Sequence, residues 1–145
     1  MIALLQRVLE AQVRIDGAVV AAVGPGLLVF VAVRPVDAAE SVDKLLHRVL
    51  KYRVFSDEAG KMNLSLAQID GDLLLVPQFT LAADTRHGLR PGFSTAAAPE
   101  QGRRLFDALV QAARAQHARV QSGIFGAHMQ VSLVNDGPVT FWLET

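Results

Sequence analysis

Apolar residues along this chain keep two rhythms, one of period two and one of period three to four, and each predicts an element. Residues 2–15 are rich in Ile, Leu and Val, and Asp16-Gly17 suits a tight hairpin turn, so residues 18–23 are expected to run back as a second strand. Leu4 and Val8 share one parity, Val13 and Ile15 the other. One strand with one buried face cannot serve both, which predicts a bulge or bend between them. Gly24-Pro25-Gly26 breaks the pattern, and residues 27–33 read as a buried strand. Asp37 is expected to cap a helix running to about Tyr52, because Val42, Leu45, Leu46, Val49 and Leu50 fall on one helical face. A turn at 57–60 and a short buried strand at 73–76, ending at Pro77, follow. Residues 83–98 form a polar stretch with Gly and Pro, and loops of that length are often functional. Pro99 suits the first turn of a second helix, Glu100 its positive end, and Leu105, Phe106, Leu109, Val110 and Ala113 its buried stripe. Two strands, 129–134 and 139–143, are expected to close the chain, joined by Asn135-Asp136-Gly137-Pro138. Val139, Phe141 and Leu143 alternate there with Thr140, Trp142 and Glu144. The sum predicts one α+β domain over residues 1–145 with a largely antiparallel sheet.

Composition narrows the function. With 51% apolar and 19% charged residues among 145, the chain has material for a real core. The 14 basic residues balance 14 acidic ones, so any contact with a polyanion must come from a local patch or a shaped pocket. The absence of cysteine excludes disulfides, a cysteine nucleophile and thiolate metal sites. MIALLQRVLE lacks the features of a cleavable leader, and the longest apolar run, 27–33, is too short for a bilayer, so a soluble cytoplasmic protein is expected.

Two segments are too specific for plain turns: Pro77-Gln78-Phe79-Thr80-Leu81 after a buried strand, and Asn135-Asp136-Gly137-Pro138-Val139-Thr140 between two strands. Pro after Gly removes a donor, fixes φ and makes a cis peptide possible, which would aim two neighbouring carbonyls the same way. An ordinary turn is the competing reading. PQFTL at 77–81 and NDGPVT at 135–140 resemble the SQFTL and NxGPVT signatures of the D-aminoacyl-tRNA deacylase family. The opening MIALLQRV, YRVFSDEAGKMNLS at 52–65, LAADT at 81–85 and MQVSLVNDGPVTFW at 129–142 are similar to that family as well, in the expected order over nearly the whole chain.

The resemblance implies a β-barrel-like fold with two main helices packed against it, working as a homodimer on the 3' end of aminoacyl-tRNA; no cofactor is expected and, with no His pair at zinc-site spacing, no metal. Gln78, Phe79 and Thr80 would line each pocket. Gly137 and Pro138, joined by a cis bond, would reach in from the other subunit and crowd out the side chain of an L-amino acid, while a D-amino acid or glycine fits. The Phe79 and Thr80 N–H groups would hold the ester carbonyl, and the tRNA 2'-hydroxyl would help the attack, so no Ser-His-Asp triad is needed. Thr80 would position water or substrate, Arg7 would brace the Gly-Pro carbonyls, and Met129 would lie near the pocket. Pro77 departs from the family Ser. A sister family that edits mischarged tRNA carries Pro there but Ala beside the Thr, so Phe79 and the intact GPVT keep this chain with the D-aminoacyl enzymes. The alternatives are that sister activity on L-aminoacyl-tRNA and a non-catalytic RNA-end binding module.

Other polar residues have plainer readings. His47 and His117 fall in helical segments and are expected at the surface; His128 flanks a strand; no His pair has zinc-site spacing. His87 lies in the long loop with Arg86 and Arg90, where RNA contact competes with simple exposure. Arg48, Lys51 and Arg53 suit the negative end of the first helix. Arg103 and Arg104 open the second helix, against its dipole, a weak hint of phosphate binding that exposure alone would also permit. Asp84 and Asp136 are explained by turn geometry.

Overall fold

The computed structural model describes Met1–Thr145, and its organising element is the long first strand, β1 (Ile2–Ile15). On one side β1 pairs antiparallel with β3 (Gly26–Ala32) and, past its middle, with β2 (Ala18–Val23). On the other side it pairs along its length with the last strand, β8 (Gln130–Glu144). Strand β3 continues the sheet in parallel with β6 (Asp72–Pro77), and β6 in parallel with β7 (Val120–Ser122). A hairpin of β4 (Arg53–Ser56) and β5 (Met62–Ser65), a one-turn helix α2 (Leu66–Ile69), and the helices α1 (Ala39–Lys51) and α3 (Pro99–Gln116) complete the domain. The sheet curls into a nearly closed barrel, which gives the α+β, barrel-like architecture expected from the sequence.

Period-two alternation sorts the strand residues between two cores. Leu27, Val29, Leu73 and Leu75 face α1 and α3, together with Leu45, Leu46, Leu105 and Leu109. Leu28, Leu74 and Val76 face the barrel interior with Val8, Ala11 and Val13. In β1 the sides exchange. Ala3 and Leu5 belong to the helix-facing core, whereas Ala11 and Val13, of the same parity, belong to the interior. The pairing with β8 is irregular between Gln6 and Glu10, which is where the exchange occurs. The expected bulge is therefore present, though Leu5 rather than Leu4 is the buried residue before it. Strand β8 changes sides too: Val131 and Leu133 pack on the interior, Val139 and Leu143 on the helices.

Two expectations are corrected. Residues 135–138 do not link two strands; they are an outward bulge within β8. Gln6 pairs with Thr140 and Glu10 with Val134, so β8 carries two more residues than β1 over the same stretch. Asp37 does not cap α1. Its carboxylate is buried and accepts from the Met1 ammonium (2.5 Å) and the Arg34 N–H (2.7 Å), so Ala38 opens the helix, with its N–H donating to Ser41 Oγ (3.2 Å). Gly26 meets β6 at such close range that a Cβ there would lie 1.9 Å from the Asp72 carbonyl oxygen. Only glycine lets β3 and β6 start side by side.

Candidate functional site

The parallel strands β3 and β6 end at one edge of the barrel, beside the first turn of α3, and a cavity of about 480 Å³ opens there. Crevices at the carboxyl ends of parallel strands are a recurrent place for ligands, because the chain must leave the sheet in different directions. Pro77, Gln78 and Phe79 form one wall, Pro99 and Gly102 of α3 another, and Phe125, His128 and Met129 a third. The lining is mostly apolar with few polar groups, as small-ligand sites are.

The first signature segment enters this cavity for backbone reasons. Gln78 N–H donates to the Val31 carbonyl (2.7 Å), the last bond tying the segment to β3. The chain then tightens into a 3₁₀ turn, Phe79–Ala82. Leading residues of such a turn have no acceptor within it, and neither the Phe79 nor the Thr80 N–H finds one elsewhere in the chain. Two adjacent free donors thus sit on the rim. The Gln78 side-chain amide donates to Thr80 Oγ1 and orients that hydroxyl. Phe79 is 54% exposed and its ring packs on Phe93, centroids 5.1 Å apart. Pro77 costs no ladder bond. N–H groups along β6 point alternately to β3 and β7, and the position 77 nitrogen points to the β7 side, where pairing stops at Leu75–Ser122.

The second signature segment is framed by its own side chains. Asn135 Nδ2 donates to the Arg7 carbonyl (2.9 Å) and across the bulge to the Val139 carbonyl (3.0 Å). Thr140 Oγ1 donates to Asn135 Oδ1 (3.4 Å) and accepts from Gln6 Nε2 (3.3 Å). Asn135 and Thr140 therefore hold the ends while Asp136, Gly137 and Pro138 project. Gly137 has φ +123°, and the Gly137-Pro138 peptide is cis. Arg7 lies against the bulge but does not donate to the Gly137 or Pro138 carbonyl. Its Nη1 donates to the Val54 carbonyl (2.7 Å), and its Nε is 2.9 Å from Asp136 Oδ2, an ion pair out of line for a hydrogen bond. Within the single chain Arg7 thus ties the neighbouring hairpin, through Val54, to Asp136 of the bulge.

Within one chain the structure gathers Gln78, Phe79 and Met129 at the cavity, with Thr80 on the adjoining turn; Arg7, Gly137 and Pro138 form a separate cluster outside its lining. Met129 lines the cavity and also packs on the interior core. Its sulfur would lie 2.8 Å from a Cβ at Gly123, so a side chain there would require Met129 to move. Gly102, Phe125 and Gly126 also line the cavity, and the one cue to them in the sequence is the Gly-X-X-Gly spacing at 123–126, which covers the last two. His128, expected only to flank a strand, lines the cavity. His117, expected at the surface, is buried as the last residue of the α3 cap, and its Nε2–H donates to the Gly71 carbonyl (2.6 Å). In the long loop, Asp84 and Gly92 exchange two backbone bonds, and hydrogen bonds from Arg86 hold the Asp84 carboxyl down at about 2. Asp84 is a fixed turn anion rather than a proton carrier.

Residues 4–144 match the family model described as D-Tyr-tRNA(Tyr) deacylase. The chain is 67% identical over 141 residues to a D-aminoacyl-tRNA deacylase of Pseudomonas putida, covering 97% of each. It is 63% identical over 142 residues to the enzyme of that name from Azotobacter vinelandii, covering 98% of each. Among solved structures, one described as c-Myc DNA Unwinding Element Binding Protein superposes with a TM-score of 0.96 at 34% identity, over 100% of this chain and 99% of that one. A probable eukaryotic D-amino acid tRNA deacylase shares the fold, with a TM-score of 0.89 at 18% identity over 99% and 98% of the two chains.

Proposed function

The chain belongs to the D-Tyr-tRNA(Tyr) deacylase family and is a D-aminoacyl-tRNA deacylase, an ester hydrolase; from that premise we propose how its residues act. The ester carbonyl of the substrate sits at the 3₁₀ turn, and the Phe79 and Thr80 N–H groups receive the negative charge of the tetrahedral intermediate. The observation that carries this reading is the pair of free backbone donors on the rim of the cavity lined by Gln78 and Phe79. Attack comes from water, aided by the 2'-hydroxyl of the terminal ribose. No side chain beside the turn has the form of a nucleophile with an adjacent base, which fits chemistry carried by backbone and substrate groups.

Chirality is read by a second copy. In a single chain Gly137 and Pro138 project away from β8 and do not line the cavity, so a homodimer that sets this bulge against its partner's 3₁₀ turn completes each site. There the two carbonyls exclude an L side chain, and D-aminoacyl and glycyl esters enter. The enzyme works in this reading as a cytoplasmic proofreader that releases the free amino acid and tRNA.

The test is deacylation of matched D-Tyr-tRNA and L-Tyr-tRNA with a chelator present. Loss of the D-ester alone, unaffected by chelation, is the expected result; equal loss of both, or sensitivity to the chelator, would overturn the account of selectivity or of mechanism respectively. Thr80→Ala should lower kcat less than about tenfold, because its hydroxyl only positions groups, whereas a residue moving a proton would cost about 10²–10⁴-fold. Single-turnover rates on D-Tyr-tRNA decide between them.

A further inference from the structure

Arg103 stands at the cavity rim in an arrangement that the reaction at the 3₁₀ turn does not use. Its guanidinium carbon lies over the Phe125 ring, 5.1 Å from the centroid. One terminal nitrogen is 3.4 Å from where a Cβ on Gly126 would be. Phe125, Gly126 and the preceding residue, Gly102, all line the cavity. Phe125 in turn lies against α3, where a Cβ at Gly102 would meet its ring at 3.1 Å. Arg103 makes no ion pair and no hydrogen bond; neither Glu100, three residues before it, nor Asp107, four after it, pairs with it. An exposed arginine on a helix usually finds a carboxylate or moves freely. Here a cation–π contact places the guanidinium over an aromatic face and leaves its donors free.

We propose that Arg103, held on Phe125, binds the phosphate on the 5' side of the terminal nucleotide and so positions the tRNA end for reaction. The inference rests on the reading that places the ester at Phe79 and Thr80. A ligand with its ester there and its nucleoside in the cavity must lead its 5' phosphate out over the rim. The chain has no net charge to attract a polyanion, so a fixed local cation carries more of the affinity than it would in a basic protein. A planar fork also suits phosphate oxygens better than a point charge.

The test uses two non-hydrolysable probes, 3'-(D-tyrosylamino)-3'-deoxyadenosine and the same molecule with a 5' phosphate, titrated into the purified protein by calorimetry. The phosphate should tighten binding to the unaltered protein about tenfold, the scale of one charge-assisted hydrogen bond. Arg103→Ala should erase that difference and leave the bare probe's affinity unchanged, while Arg103→Lys restores only part of it. On D-Tyr-tRNA, Arg103→Ala should raise KM with kcat unchanged and make the salt dependence of kcat/KM shallower, by about one unit of log–log slope. Equal weakening of both probes would show that Arg103 merely supports Phe125, and a phosphate without effect on the unaltered protein would remove the site; either overturns the proposal while leaving the esterase reading intact. Failure of the unaltered protein to bind the bare probe would overturn the placement of the ester and this proposal with it.

Discussion

Replacing Gly137 with alanine is expected to lower kcat/KM for D-Tyr-tRNA by about 100-fold, the scale of an ångström-sized misplacement in a site, with the protein still folded. The backbone there has φ +123°, a region that residues with a Cβ rarely adopt. The added methyl would also sit 2.7 Å from Val139 Cγ2 and 3.1 Å from Arg7 Nη2. Neither neighbour can yield freely: Val139 starts the helix-facing half of β8, and Arg7 is anchored on Val54 and Asp136. The bulge must shift instead. Its ends are tied by Asn135, so the displacement falls on Gly137 and Pro138, while the ladder on either side survives. Strain of this kind costs about 1–3 kcal/mol. Circular dichroism and the melting temperature report folding, and steady-state deacylation reports the site. A folded Gly137→Ala protein with undiminished kcat/KM on D-Tyr-tRNA and unchanged rejection of L-Tyr-tRNA would remove this segment from the active site.

The largest stability effect should follow from Asp37→Ala. The carboxylate is buried and joins three parts of the chain. It accepts from the Met1 ammonium at the start of β1 and from the Arg34 N–H, and the Arg34 guanidinium lies 3.6 Å away. The Asp37 carbonyl accepts from Gln101 of α3 (3.0 Å), next to the cavity wall. Removing one member of a buried pair strands the other, at a cost of about 3–5 kcal/mol, or a fall in melting temperature on the order of 10 °C for a chain this long. The pH profile adds an independent check. Burial pushes the Asp37 carboxyl up, but the bonds from the Met1 ammonium and Arg34 outweigh it, and the net shift is below the ordinary 3.8. A carboxyl lowered on folding stabilises the protein above its unfolded pKa, and that contribution drains away as the pH falls from about 4 toward the folded value. The unaltered protein should therefore show a steeper loss of stability below pH 4 than Asp37→Ala. Parallel acid limbs would mean that Asp37 is not part of the acid response.

Much of this molecule was legible from period alone. The stripes of α1 and α3, the unbroken apolar runs of β3 and β6 and the alternation at the end of β8 are local patterns, and the two signature segments stood out because turns do not require residues so specific. What failed depends on distance along the chain. Asp37 looks like a helix cap until the amino terminus is brought beside it from 36 residues away. His117 looks exposed until the Gly71 carbonyl arrives from another turn. The 135–138 segment reads as a hairpin because Asn, Asp, Gly and Pro favour turns; pairing with β1 on both sides of it overrides that preference. The cavity was half visible. PQFTL announced one wall, but Phe125 and Gly102 come from elements that touch only in the folded chain.

The joint irregularity of β1 and β8 sets a rule for how this architecture can vary through descent. Because both strands change sides at the same place, losing or gaining one residue in 135–138 would rotate Val139, Phe141 and Leu143 out of the core unless β1 altered its length in step. Single insertions and deletions there should be purged, while changes of residue type remain open. The spacing between the framing Asn and Thr is then inherited as a fixed length, and novelty in this lineage must come by exchanging the chemistry displayed within it.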